Sequence, residues 1–506
     1  LFPPAGTPST LAASALAALQ GLATAAYAAC QAALALYASH RWAMVLGRGH
    51  GPVPVPSPPR EWPPVTVQLP VYNERAVVVR LIEAAGALDY PADRLEIQVL
   101  DDSSDGTSAL AAAAVERLRA RGLDAKHLRR AAREGYKAGA LAAGLAVARG
   151  EFVAVFDADF VPARDFLRSM LPHFTGPGIG MVQARWGHLN RDRSALTAAQ
   201  ATLLDAHFLL EHSARARRGL FFNFNGTAGI WRRACIDAAG GWSHDTLTED
   251  LDLSYRAQLA GWRFAFVPQV VVPAELPSDM EAFKSQQRRW VKGSIQTARK
   301  LLPELWRRPL PARVKLEAFL HLTSNVAYPL LLALGLLLLP VMLGTTTLPP
   351  ALVWGLHAGV LALGVVPVAA FLGAARREAG GGAWAITRDV AAALALGAGL
   401  SANNARAVFE GLGPRVGNWE RTPKTGEGVR AAPRQSAGPP RAQGGAESLL
   451  AAYFAALGIW AAAAGQARAV PFLALLAAGS GWVALGSRPG APGGRASGRT
   501  SFPAGT

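Results

Sequence analysis

The feature that most constrains this chain is where its charges are missing. Residues 1–40 contain no Asp, Glu, Lys or Arg, and neither do residues 318–375. Between Glu447 and Arg488 the only charge is Arg468. A bilayer-spanning helix needs ~20 apolar residues, because lipid offers its backbone no hydrogen-bond partners. Each block is long enough, so the expectation is an integral, multi-pass membrane protein. The blocks read as five spans: 11–39, two within 318–375 broken at Thr345–Pro350, and a hairpin of 448–465 and 469–486. Arg41, Arg48 and Arg60 follow the first block and Arg376-Arg377 the third. By the positive-inside rule the chain starts outside and the segment after the first span is cytoplasmic. The net charge of +16 is concentrated beside these blocks, and no nucleic-acid motif accompanies it. Membrane lipids are therefore the expected partners of the basic residues, and nucleic acid is not. Cys30 and Cys235 offer neither a disulfide framework nor a metal cluster.

The chain divides accordingly. Residues 1–50 carry the first span and 51–64 a Pro-rich linker. Residues 65–302 are a globular domain that ends in an interfacial helix, and 303–375 carry two spans. In 376–446, the run Val390–Leu400 is short and flanked by basic residues, an interfacial or re-entrant helix followed by a Gly/Pro/Arg-rich cytoplasmic loop. Residues 447–487 hold the last two spans, and 488–506 read as a disordered basic tail.

Inside the globular segment, apolar runs alternate with helical stretches. Val65–Val71, Leu95–Leu100 and Phe152–Phe156 read as strands, with Lys126–Arg130 a short fourth. Helices are expected from Asn73-Glu74 to about Leu88, after Thr107, and over Gly135–Val147. Such alternation implies parallel strands with right-handed crossovers. Further on, Gly180–Trp186 reads as a strand, Leu196–Ala216 as a helix, and Thr248–Leu259 as a helix capped by Thr248. Ser278–Leu302 is expected to be an amphipathic helix on the membrane surface, with Lys284, Arg288, Arg289, Lys292, Arg299 and Lys300 beside Phe283 and Trp290.

The chemistry gathers at strand ends. Phe152–Phe156 runs straight into Asp157-Ala158-Asp159. Residues two apart in an extended segment point the same way, so these carboxylates share one side of the carboxyl edge, where open α/β sheets bind ligands. Two adjacent carboxylates repel unless a cation sits between them. A hard divalent ion, Mg2+ or Mn2+, shared with substrate phosphates answers that need.

Seven motifs stand in one order: Pro70-Val71-Tyr72-Asn73-Glu74, Asp101-Asp102-Ser103, Lys137-Ala138-Gly139-Ala140-Leu141, Asp157-Ala158-Asp159, Asn225-Gly226-Thr227-Ala228-Gly229, Thr248-Glu249-Asp250 and Gln286-Gln287-Arg288-Arg289-Trp290. Together they resemble the inverting, membrane-bound nucleotide-sugar glycosyltransferases of family 2 that include cellulose synthase, and among them most the mannan and glucomannan synthases. The resemblance covers residues 60–300 closely and the membrane region loosely. It implies an α/β GT-A domain, Rossmann-like with a mixed sheet, on the cytoplasmic side of an α-helical transmembrane region in a bacterial-type inner or plasma membrane. It further implies that Tyr72, Glu74, Asp101, Asp102 and Lys137 bind the nucleotide-sugar donor and that Asp157 and Asp159 bind the metal. Asp250 would be the catalytic base and Arg289 the partner of the diphosphate. Asn225, Gly226, Thr227, Glu249, Gln286 and Trp290 would frame the acceptor. A looser likeness to the family's gating loop adds Trp419, Thr422 and Lys424, with Arg421 standing where that loop usually carries an apolar residue.

The expected activity is transfer of a hexose from UDP-glucose or GDP-mannose to the end of a growing β-glycan, with a glycan or lipid acceptor. A glycolipid synthase is the neighbouring reading. A transporter that merely senses nucleotide-sugars is the remote one, since the apolar blocks hold no Asp, Glu or Lys for an ion relay.

Overall fold

The computed structural model describes residues 10–49, 51, 53–344, 355–356, 358–414, 416–417, 426 and 444–488. The loop residues Trp419, Thr422 and Lys424 lie outside the described residues.

The chain opens with helix α1 (Thr10–Gly47), which runs past the apolar block and carries His40 and Arg41 at its far end. Strand β1 (Val65–Val71) follows, then α2 (Val78–Gly86), β2 (Leu95–Asp101), α3 (Thr107–Ala120), β3 (Asp124–Arg129), α4 (Tyr136–Ala146) and β4 (Phe152–Val155). β1 pairs in parallel with β2 and β4, and β2 with β3. The alternation rule therefore holds for this half of the sheet. α2 starts later than expected, because Asn73 takes a left-handed φ of 57° and its neighbourhood forms a turn instead of a first helical turn.

The second half reverses. After α5 (Phe166–Met170), β5 (Ile179–His188) leads into a helix built of α6 (Ala195–Asp205), a π-helical stretch Ala206–His212 and α7 (Ser213–Arg217). β6 (Gly229–Arg232) lies antiparallel between β4 and β5. After α8 (Arg233–Ala238) and α9 (Glu249–Leu259), β7 (Arg263–Ala274) pairs in parallel with β5. The result is a mixed seven-stranded sheet of order β3-β2-β1-β4-β6-β5-β7. β6 begins where β4 ends, Gly229 opposite Val155, so the segment just before β6 is delivered to the edge that carries Asp157.

The sheet is covered on both faces. Phe152, Ala154 and Phe156 pack with Val67, Leu69 and the inner sides of α2 and α3. Val153 and Val155 pack on the other face with Leu141, Phe224 and Trp231. Burial on both faces is why β4 reads as an unbroken apolar run.

α10 (Met280–Arg307) closes the domain. Its cations turn inward more than a surface helix requires: Lys284 lies 2.9 Å from Glu447, Arg288 bonds Glu410, and Lys300 is 2.8 Å from Asp252. Then come α11 (Ala312–Thr323) and α12 (Ala327–Gly344). Among the described residues, five helical segments are long and apolar enough to cross a membrane: Ser14–Gly47, Ala312–Gly344, Val360–Glu378, Gly445–Ala463 and Ala467–Gly486. The segment Ala383–Gly399 meets Ser401–Leu412 at a bend of 51°, the geometry of a broken span or a re-entrant pair. Leu19, Leu22, Leu449 and Ile459 are all more than 60% exposed, an apolar outer surface that suits lipid.

Candidate active site

The site is a cleft along the carboxyl edge of the sheet. Its walls are the ends of β1, β2, β4, β5 and β7, the turn before β6, the start of α9 and one face of α10. Asp157, Asp159 and Asp250 line this one cleft.

Two turns form one end of the cleft. Asn73 N donates to Ser103 Oγ at 2.8 Å, and Ser104 N donates back to Asn73 Oδ1 at 2.9 Å. This clamp explains why Tyr-Asn-Glu and Asp-Asp-Ser occur together: each supplies what the other's backbone lacks. Tyr72, Glu74 and Asp102 face the cleft. Arg133 lies over the Tyr72 ring, 3.4 Å from its centre, and Arg130 Nε donates to Asp102 Oδ1 at 3.0 Å.

Asp101 is placed differently from the expectation. It is 1% exposed and does not line the cleft. It accepts from Ser103 N at 2.8 Å, from Ser108 Oγ and, at 2.9 Å, from His127 Nε2. Burial works to raise its pKa, but the hydrogen bonds from His127, Ser108 and Ser103 outweigh it and hold the carboxyl well below its ordinary range. Asp101 shapes the turn that presents Asp102.

At the centre stands Lys137. Its Nζ is 2.6 Å from Asp157 Oδ1 and 3.8 Å from Glu249 Oε1, and it donates to the Gly226 carbonyl at 2.9 Å. Burial tends to strip its proton, but Asp157, Glu249 and Asp250 together prevail and raise its pKa. Gly226 has φ +79°, and a Cβ built there would lie 3.1 Å from Asp250 Oδ2 and 3.3 Å from Lys137 Nζ. The glycine thus lets a backbone carbonyl, an ammonium and a carboxylate converge. Thr227, fully buried, accepts from Asp157 N at 2.9 Å and ties this turn to the end of β4.

Asp250 sits in the first turn of α9. Burial first, and the charge of neighbouring Glu249 second, push its carboxyl up to about 7, with Lys137 opposing. A carboxylate poised near neutrality is a competent general base. Thr248 stands at the N-cap position, but its hydroxyl does not cap α9. Instead it meets Thr297 Oγ1 at 3.4 Å, while Leu247 N donates to Gln296 at 3.0 Å. The Thr-Glu-Asp turn is therefore braced by α10, and Gly293 gives it room: a Cβ there would lie 2.5 Å from Thr248 Cγ2. The same helix brings Gln286, Arg289 and Trp290 to the cleft.

Asp157 and Asp159 offer two hard oxygen donors, and among the described residues no group of three or more His, Cys, Asp or Glu forms a closed metal cage. The pair suits Mg2+ or Mn2+ held by one or two carboxylates, with substrate phosphates and water completing the shell. In this structure the Lys137 ammonium supplies the positive charge beside Asp157.

Several functional neighbours carry no motif. Gln183 Oε1 accepts from Asn225 N at 3.1 Å, and its amide donates to the Ala228 carbonyl at 3.0 Å, clamping the turn from β5. Glu275 lines the cleft, paired with Arg80 at 2.7 Å, and accepts from Gly426 N at 3.1 Å. His207 Nε2 lies 2.9 Å from Asn225 Nδ2. Only their contacts, far apart in sequence, reveal them.

The model of the glycosyltransferase like family 2 matches residues 63–293. Glucomannan 4-beta-mannosyltransferase 2 of Arabidopsis thaliana is 45% identical over 251 residues, 49% of this chain and 47% of the relative. Glucomannan 4-beta-mannosyltransferase 1 of Oryza sativa subsp. japonica is 43% identical over 251 residues, 49% of this chain and 48% of the relative. The match to these curated relatives thus spans about half of their length. Among solved structures, a mannosyltransferase from Pyrobaculum calidifontis, in complex with GDP-Man and Mn2+, shares the fold with a TM-score of 0.50 at 23% identity, over 78% of this chain and 99% of that one.

Proposed function

We propose, from the premise that residues 63–293 are a family 2 glycosyltransferase domain of the GT-A fold, that the chain transfers β-mannosyl units from GDP-mannose to the end of a growing mannan or glucomannan chain. The observation that carries this reading is the meeting of Asp250, Glu249, Lys137, Gly226 and Asp157 at one point of the cleft. It is the layout a displacement at an anomeric carbon needs: base, acceptor floor and diphosphate counter-charge within one sugar's reach.

Tyr72, Asp102 and Arg133 hold the nucleoside, with Arg133 stacked on Tyr72 and its planar fork suited to the base or ribose. Lys137 and Arg289 face the diphosphate, where a planar guanidinium suits paired oxygens. Trp290 stacks on the terminal sugar of the acceptor, and Gln286 and Asn225 orient its hydroxyls. Asp250 takes the proton from the attacking hydroxyl as that oxygen bonds to the anomeric carbon. The bond to the nucleoside diphosphate breaks on the opposite face, so an α-linked donor gives a β-linked product. A divalent ion on Asp157 and Asp159 would supply Lewis-acid stabilisation of the departing diphosphate.

The choice of mannose over glucose leans on the names of the plant relatives. The catalytic unit is taken as residues 65–302, on the cytoplasmic side, with the apolar helices as membrane anchor and exit path. Purified membranes given radiolabelled GDP-mannose or UDP-glucose test this. Label from GDP-mannose in an ethanol-insoluble, β-mannanase-sensitive product supports the proposal. Label confined to an organic extract favours a glycolipid synthase, and UDP-glucose as the sole substrate reassigns the donor.

A further inference from the structure

The helix that carries α6 and α7 loosens into a π-helical stretch at Ala206–His212, a local feature that tends to mark functional positions. It turns His207 towards the cleft turn and Glu211 towards the membrane helices. His207 Nδ1 is 3.0 Å from Glu211 Oε2, and His207 Nε2 is 2.9 Å from Asn225 Nδ2. Glu211 pairs with Arg41 of α1 and lies 3.4 Å from Arg215. Arg215 bonds Glu317 of α11 at 2.9 Å, and His40 of α1 reaches the same carboxylate at 2.7 Å.

This chain of partners fixes orientations. A carboxylate flanked by two guanidinium groups is ionised and only accepts hydrogen bonds. His207 must therefore donate from Nδ1, so a neutral ring leaves Nε2 as an acceptor. Burial, followed by His212, Arg215 and Arg41, keeps the ring neutral by holding its pKa well below the ordinary value. An acceptor at Nε2 selects one orientation of the Asn225 amide, with its NH2 towards the ring. Asn225 is the residue before Gly226, whose carbonyl accepts from Lys137 and where an added Cβ would lie 3.1 Å from Asp250 Oδ2.

We propose that His207 is a positioning residue for the acceptor: it locks the Asn225 amide, and with it the Asn225–Gly226 turn, to a frame set by helices α1 and α11. The inference rests on the mannosyl-transfer reading given above.

The test uses the full chain in detergent, GDP-mannose as donor and a β-1,4-linked mannotetraose as acceptor probe. His207→Phe should raise the acceptor KM about five- to ten-fold, the worth of one hydrogen bond. Donor KM and the release of mannose to water should stay within about two-fold. His207→Gln, whose amide oxygen can replace Nε2, should recover most of the acceptor affinity. In an Asn225→Ala background, substituting His207 should change the acceptor KM by less than about two-fold. That cycle, run with His207→Gln and His207→Ala, also serves if the Phe variant does not fold. An unmoved acceptor KM in a folded His207→Phe or His207→Ala protein overturns the inference. So does Gln as impaired as Phe, a donor KM that moves equally, or a full effect of His207 without the Asn225 amide. Wild-type protein that transfers nothing from GDP-mannose overturns the proposed function, and this inference with it.

Discussion

Asp250→Asn should do two opposite things: end glycosyl transfer and stabilise the fold at alkaline pH. The carboxyl moves from an ordinary 3.8 to about 7 in the folded protein. Its folded-state pKa is raised, so between those values the native state holds a proton that the unfolded state has lost. Stability then falls as pH rises, which is the reverse of the usual salt-bridged carboxylate. With about 1.4 kcal/mol per pKa unit, the wild type loses ~2–3 kcal/mol from this group between about pH 5 and pH 8. The Asn variant has nothing to titrate there and escapes that loss. For a domain of this size the difference is worth about 5–10 °C in Tm at pH 8, shrinking towards acid pH. The assay is a melting series in detergent across pH, without nucleotide or metal, for both proteins. An Asn variant whose advantage is flat with pH, or a variant less stable than wild type at pH 8, refutes the reasoning about burial at Asp250.

Other expectations follow from the same contacts. Gly226→Ala forces a side chain into a left-handed backbone and within 3.1 Å of Asp250; kcat should fall ~10–100-fold, with donor binding by calorimetry little changed. Lys137→Met removes the cation that lowers the Asp250 pKa; the rising limb of the kcat–pH profile should move to higher pH, and an unmoved limb would separate the two groups functionally. Chelation by EDTA should abolish transfer, with Mn2+ or Mg2+ restoring it. In an Asp157→Asn protein, ten-fold more metal should be needed, or no amount should suffice.

How much of this was legible in the sequence depends on how local the cause is. β1 to β4 declare themselves because a strand buried on both faces must be apolar throughout, and the helices between them fix their direction. β7 does not. Its run Arg263–Ala274 contains Pro268 and Pro273, which argue against a central strand. It forms because it is the outermost strand of the sheet, where a missing N–H costs no ladder bond on the solvent side. The cap assigned to Thr248 fails for a related reason: its hydroxyl is claimed by Thr297, 49 residues away. The basic face of α10 suggested lipid headgroups, yet Glu410 and Glu447 from later in the chain meet Arg288 and Lys284.

The site divides in the same way. Asp157, Lys137, Glu249 and Asp250 each look like an ordinary charge alone, and only their order along the chain made them a constellation. The fold then supplies what order cannot, the 2.6 Å contact between Lys137 and Asp157 and the burial that shifts Asp250. Asp101 shows the limit of reading a motif residue by residue: of two adjacent carboxylates, one faces the cleft and one braces its turn. Gln183, Arg133 and His207 had no signal of their own, since their roles exist only in contacts between distant segments.

A single inverting displacement with Asp250 as base is the chemistry proposed for this cleft. Proton NMR of the first product from GDP-mannose and a reducing-end-blocked mannotetraose tests it most directly, read with the wild type and Asp250→Asn side by side. The wild type should give a new β-anomeric signal and the Asn variant no product. An α-anomeric signal, or β-linked product at an undiminished rate from Asp250→Asn, would contradict it.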